Sequence, residues 1–360
     1  MPTKEYFARH PPFPSDVPVV QLECLSFTKI FARDAAECER LFQACQDIGF
    51  FLLNLRGTEE GETMLKHAET AFTLTEQIHE LDQDELKRYA FKPPADLFGY
   101  KSVGDMKLED GSPDRMAFYN LSQDDILGNS PCRPAPAIVE THRPDFRDFF
   151  HHARLILSRL LSCLDAPLGL QDGTLISFSP LEKASGTSLR LLKALPSASS
   201  SDRRTDLVGH TDLGSITMLF NVVGGLQILP PSAPDVPQDS DWRFVRPMPD
   251  CALINLGDAM VRWSGGVVRS NMHRVATAPG AQREVERLSV AYLLRPALET
   301  SMQRLRGETT VTEDEEEEFI SAKDWERMRA AQIVKGENKP ASIGGKKVSM
   351  MVARGEVLAS

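Results

Sequence analysis

Apolar residues are spaced in two ways along the chain, and the change falls near Glu182. Before it they recur at helical intervals; after it they come in short β-prone runs cut by turn residues. In "RDAAECERLFQACQDIGF" (33–50), Ala36, Leu41, Ala44 and Ile48 fit a helix that stops at Gly49. "FFLLNL" (50–55) predicts a strand, and residues 58–90 carry a second helical pattern with charged faces. "PDFRDFFHHARLILSRLLSCLDAPLGL" (144–170) predicts a long amphipathic helix closed by Pro and Gly. "VPVVQLECL" near residue 20 reads as a short strand. The interval from Lys92 to Pro136 reads as loop around one strand, "DRMAFYNL" (114–121).

Beyond Glu182 the runs are "SLRLLKAL", "GSITMLFNVV", "GGLQILP", "WRFVRP", "CALINLGDAM", "VVRSNMHRVAT" and "RLSVAYLLRP". Short strands at this spacing predict an all-β sandwich or barrel, here flanked by helices. Residues 196–206 and 230–241 are loops by composition. Near the carboxy terminus, "TEDEEEEF" (312–319) reads as a solvated helix start and "SAKDWERMRAAQIV" as a surface helix.

Composition narrows the function classes. At 360 residues, 41% hydrophobic and 26% charged, the chain is globular in type. Its net charge of -10 argues against nucleic acid or an anionic membrane as partner. No apolar run reaches the roughly 18 residues of a membrane span. "MPTKEYFARHPPFPSD" has no apolar h-region, so no secretory leader is expected. The six cysteines are irregularly spaced, as reduced and mostly buried thiols of a cytoplasmic protein would be. Nothing in the pattern specifies an oligomeric state.

The chemistry-bearing stretch is "LVGHTDLGSITMLF" (207–220), where His210 and Asp212 interrupt an apolar run. On a strand, residues i and i+2 project from one face, so both side chains reach one point. The histidines before residue 100 and those at 142–152 fall in helical or terminal segments, which leaves His273 as the third donor. A His on a strand is ordinarily structural. Two His and a carboxylate on a β scaffold, however, match the non-haem Fe(II) arrangement with open positions. Zinc accepts the same donors. Arg287 and Ser289, again i and i+2 on a strand, form a fork for a carboxylate, unless an internal acid pairs with the arginine.

From about Leu189 to Pro296 the sequence resembles the isopenicillin N synthase-like family of 2-oxoglutarate and Fe(II)-dependent dioxygenases. The matching stretches are "HTDLGSITMLF", "GGLQIL", "WRFVRPMPDCALINLGDAMVRWSGGVVRSNMHRV" and "RLSVAYLLRP". "VPVVQL" and "CQDIGFFLLN" resemble the same family's amino-terminal region. The resemblance implies a mainly β fold with flanking helices around a double-stranded β-helix (jelly roll) core. That core spans 183–297, with a helical and strand region (1–182) packed on it. A helical tail (298–360) belongs to the same domain. It implies iron on His210, Asp212 and His273, and the distal carboxylate of 2-oxoglutarate on Arg287 and Ser289.

"INLGD" followed by "RWSGG" looks like the family's hairpin, with Asn255 and Asp258 structural. The resemblance further implies dioxygen as a co-substrate and stimulation by ascorbate. Substrate is expected to meet Arg190, Phe118, Met116 and Leu293. One departure stands out. Where the family commonly places polar residues that help hold 2-oxoglutarate, this chain has Leu192 and Ala194 in "LRLLKALP". Their apolar character favours a small hydrophobic substrate of specialised metabolism, hydroxylated, desaturated or rearranged as 2-oxoglutarate yields succinate and CO2. Two other readings stay open: an oxidase drawing all its electrons from substrate, and a metal-stabilised binding module.

Overall fold

The computed structural model describes residues 4–93, 95–106, 111–197, 205–234, 236–305, 319–334, 342–343 and 346–347. Twelve of its strands build two sheets. The major sheet takes β1 (Cys24–Ser26), β2 (Phe50–Asn54), β3 (Gly99–Lys101), β4 (Met116–Ser122), β5 (Ser188–Ala194), β7 (Ile216–Asn221), β10 (Cys251–Leu256) and β12 (Arg287–Leu294). Their order is β1-β2-β10-β7-β12-β5-β4-β3. The minor sheet takes β6 (Thr205–His210), β8 (Leu226–Ile228), β9 (Arg243–Phe244) and β11 (His273–Ala276), in the order β6-β11-β8-β9. Crossovers between non-consecutive strands give the jelly roll.

Alternation gives the major sheet two different faces. On β12, Leu288, Val290, Tyr292 and Leu294 point outward and Arg287, Ser289, Ala291 and Leu293 inward. The outward set packs under helices. α1 (Ala35–Asp47) starts at Asp34, whose side chain accepts from Glu37 N, and α2 (Glu59–His79) starts at Thr58, which accepts from Gly61 N. α3 (Arg143–Asp165) buries Phe146, Phe149, Phe150, Ala153, Ile156, Leu157, Leu160, Leu161 and Leu164, one stripe at 3.6-residue spacing. Phe149 and Phe150 meet the Tyr292 ring at 6.4 and 5.7 Å, which fixes α3 against the sheet. α1 ends where Gly49 takes φ 75°. A Cβ there would lie 2.1 Å from Arg269 O, so only glycine fits.

Three expectations need correction. The 92–136 interval holds a further strand, β3, and a helix at Gln123–Leu127. "INLGD…RWSGG" is no hairpin: strand β10 runs into helix α4 (Asp258–Trp263), and only afterwards do Gly265 and Gly266 take positive φ. The helix in "SAKDWERMRAAQIV", α5 (Ala322–Val334), is not purely superficial, because Ala322, Trp325 and Arg329 are buried. The strand near residue 20 is confined to β1 plus an isolated bridge from Val19 to Phe244. The acidic run falls almost wholly (312–318) outside the described residues, as do 198–204 of the first loop. All six cysteines are free.

Candidate active site

His210 and His273 face each other across the minor sheet as direct partners in the antiparallel β6–β11 register. The register slips just beyond them, an irregularity between His273 and Val275 that interrupts the pairing next to the site. Their rings lie 4.3 Å apart, tilted by 52°. Asp212 joins them by a different route from the one the spacing suggested. β6 ends at His210, so Asp212 sits in the loop beyond the strand, held by a bond from Asp258 N to its carbonyl at 2.8 Å. The Nε2 atoms of His210 and His273 lie 3.9 and 3.8 Å from Asp212 Oδ1. One donor atom from each of the three falls within 4.8 Å of the others, the sole such group among the described residues.

The surroundings aim these donors. Asp212 Oδ2 accepts from Thr217 Oγ1 at 2.6 Å and Asn255 Nδ2 at 2.8 Å, which turns Oδ1 toward the histidines. Thr217 and Asn255 are cross-strand partners on β7 and β10, so one pair of the major sheet positions a loop of the minor one. His273 Nδ1 lies 3.1 Å from Asn271 O, which leaves Nε2 as the coordinating nitrogen. Phe50 meets the His273 ring edge-on at 5.3 Å and shields it. Burial alone would raise the Asp212 carboxyl; the two histidines, Asn255 and Thr217 reverse that and hold it at about 2. Two imidazoles and an ionised carboxylate on one side of a point are a donor set that suits Fe(II).

At the start of β12, Arg287 is 5% exposed. Its Nε donates to Gly224 O at 2.8 Å and its Nη1 to Ser289 Oγ at 3.1 Å. Gly225, with φ 112°, lets the turn approach: a Cβ there would lie 2.7 Å from Ala276 O and 3.4 Å from Arg287 Nε. Met116, Phe118, Leu192, Ala194 and Ala291 form a separate apolar cluster on this inner face, with Leu293, Leu219, Leu207 and Phe91 against it. The cluster includes or touches three of the four residues expected to meet substrate.

The fourth, Arg190, stacks on Phe118 with its guanidinium carbon 4.7 Å from the ring centroid. Its Nε is buried without a hydrogen-bond acceptor. Burial and neighbouring Arg295 lower its pKa to about 10, against the pull of Asp212. Sequence reasoning missed Thr217, Asn271 and Phe50 altogether, and treated Asn255 only as structural. For Thr217, Asn255 and Phe50 the contribution depends on strand pairing, which leaves no local signal, whereas Asn271 acts through its backbone carbonyl, which no side-chain pattern reveals.

Among the described residues no helix is long and apolar enough to cross a membrane. Residues 186–296 match the family model for the 2OG-Fe(II) oxygenase superfamily, and residues 17–155 match that for the amino-terminal region of non-haem dioxygenases in morphine synthesis. A 2-oxoglutarate-dependent dioxygenase of Aspergillus fumigatus is 31% identical over 82% of this chain and 80% of its own. Another, from a Dothideomycetidae species, is 32% identical over 84% and 88%. In fold, the chain is similar to a full-length Neurospora crassa protein solved in complex with alpha-KG. That match has a TM-score of 0.71 and 21% identity over 88% of this chain and 98% of that one. It is also similar to JOX2, solved with 2OG, Fe and JA, with a TM-score of 0.66 and 20% identity over 96% and 92%. With relatives spanning most of its length and a donor set suited to iron, the chain belongs to the 2-oxoglutarate- and Fe(II)-dependent oxygenase superfamily.

Proposed function

We propose that His210, Asp212 and His273 hold the Fe(II), and that Arg287 and Ser289 grip the distal carboxylate of 2-oxoglutarate. Arg190, Phe118, Met116 and Leu293 then face the substrate. The observation that carries this is the convergence of two Nε2 atoms and Asp212 Oδ1, with Oδ2 already taken by Thr217 and Asn255. When bound, iron supplies the activation of dioxygen that oxidises a substrate C–H bond as 2-oxoglutarate becomes succinate and CO2. The protein's part is orientation and exclusion of water. Thr217 and Asn255 fix the carboxylate, Asn271 fixes the His273 tautomer, and the apolar cluster keeps the chamber dry.

The substrate class that suits this chamber is a small, largely apolar molecule with one anionic group. Met116, Phe118 and Leu293 supply the apolar wall, and the Arg190 guanidinium supplies the charge. The Neurospora crassa protein and JOX2 were solved with small molecules, thymine and JA respectively, which supports a small-molecule substrate. Hydroxylation, desaturation or rearrangement in specialised metabolism is the outcome we assign. We assign the catalytic core to residues 183–297, and 1–182 and 298–360 to the same domain. The six free cysteines suit a cytoplasmic setting.

The test is succinate release by the purified protein given Fe(II), ascorbate, 2-oxoglutarate and air. Candidate substrates are then screened by acceleration of that release. Succinate that needs Fe(II) and disappears in Asp212→Ala supports the assignment. Succinate unaffected by Asp212→Ala would remove it.

A further inference from the structure

Behind the three donors lies a buried carboxylate that coordination does not use. Asp258, at the start of α4, is 1% exposed. Its Oδ1 accepts from Ser270 Oγ at 2.6 Å, and its Oδ2 from Thr211 Oγ1 and Arg329 Nη2, each at 3.0 Å. Thr211 is the residue between His210 and Asp212. Ser270 lies three residues before His273. One carboxylate therefore joins both donor-bearing segments, and Arg329 brings the carboxy-terminal helix α5 to the same point.

The backbone closes the arrangement. Asp258 N donates to Asp212 O, Gly257 N to Ser215 O and Ala259 N to Gly214 O, at 2.8 to 3.2 Å. A Cβ on Gly257 would lie 2.1 Å from Gly214 O, so this turn presses directly on the Asp212 loop. A charge buried so deeply is tolerable only when paired and fully hydrogen-bonded. Two hydroxyls and a guanidinium meet that requirement here. Elsewhere α5 is held by Glu326, 3.1 Å from Arg295, and by Ala322 N and Lys323 N on Thr300 O and Leu298 O.

We infer that Asp258 and Arg329 are a positioning pair: docking of α5 sets the separation of the two donor segments and thereby the affinity for metal. Neither residue is among the proposed ligands, and the inference rests on the assignment of His210, Asp212 and His273 to that role. Coupling of this kind is reciprocal, so metal binding must in turn tighten α5.

The experiment uses the full chain with Mn(II) as a redox-quiet probe, measuring its dissociation constant and the amide hydrogen exchange of residues 322–334. In the unaltered protein, Mn(II) should slow exchange along that helix. Arg329→Gln should weaken Mn(II) binding by about tenfold, the scale of outer-shell losses, and abolish the protection. Arg329→Lys should restore most of both. Where Arg329→Gln fails to fold, the double variant Asp258→Asn, Arg329→Gln removes both charges and should show the same loss of affinity.

Variants that melt earlier but bind Mn(II) within twofold of the parent would overturn the inference, because a merely structural pair behaves so. Parent binding that is lost in Asp212→Ala but indifferent to Arg329→Gln would remove this inference alone. A parent that does not bind Mn(II) would remove the ligand assignment as well.

Discussion

Ala194 lies directly across the β5–β12 pair from Arg287, and Leu192 lies across from Ser289. Both are buried in the apolar cluster, so the strand beside the proposed co-substrate fork offers no polar side chain at these two positions. The distal carboxylate then depends heavily on Arg287 and Ser289. Arg287→Ala should raise the 2-oxoglutarate concentration for half-maximal succinate release by about 10- to 100-fold. That is the scale of a lost charge-assisted bond, about 1.5–3 kcal/mol. Ser289→Ala removes a neutral donor and should cost about 2- to 10-fold. An Arg287→Ala variant with an unchanged requirement would show that the co-substrate sits elsewhere.

Asp212 is aimed by two donors that come from a different sheet, and this aim is separable from ligation. Thr217→Val keeps the side-chain shape but removes the bond to Oδ2, and Asn255→Ala removes the other. Each should weaken Mn(II) binding by about tenfold, as outer-shell changes do, with the double variant worse than either. The titration should be run beside a thermal melt. Loss of melting temperature with full metal affinity would mean that the two residues only support the sheet.

Much of this architecture was legible because local periodicity and burial agree. The stripe from Phe146 to Leu164 predicts its helix, and the alternation in "RLSVAYLL" predicts both the strand and the inward side of Arg287 and Ser289. What escaped was non-local. β3 is three residues, Gly99 to Lys101, made a strand by pairing with β4. The turn at Gly257 to Asp258 looks like a hairpin until its packing on Gly214 is seen. His210 and Asp212 do converge, yet the strand alternation that predicted this ends at His210. The loop is held instead by Asp258, Thr217 and Asn255, which lie 46, 5 and 43 residues from Asp212 in sequence.

His79 gives the fold a pH signature separate from the three proposed metal ligands. It is buried on α2 with Nε2 3.2 Å from Leu191 O, and desolvation lowers its pKa from 6.5 to about 4. Between those values the unfolded chain binds the proton and the folded one does not, so stability falls as pH drops from 6.5 toward 4. The full contribution is about 3 kcal/mol at 1.36 kcal/mol per unit. Asp124 works the other way: burial raises its carboxyl to about 6, which favours the folded state as pH falls. The informative quantity is therefore a difference. Urea unfolding at pH 7, 5.5 and 4.5 should show a flatter stability profile in His79→Gln than in the parent, and parallel profiles would refute the assignment.

Arg190 tests the substrate assignment apart from the rest of the chemistry. Its Nε is buried without an acceptor, and its planar face rests on Phe118, so a buried cation is available to an anionic substrate group. Arg190→Met keeps the length and the contact with the ring while removing the charge. With an anionic substrate, the variant should show a half-saturating concentration raised by about 10-fold or more, the value of a charge-assisted contact. Its slow succinate release without substrate, and its 2-oxoglutarate requirement, should stay near those of the parent. A neutral analogue of the same substrate, its carboxylate replaced by an amide, should instead be used about equally by both proteins. If the anionic substrate serves the variant as well as the parent, the guanidinium is a structural cation and the chamber selects on shape alone.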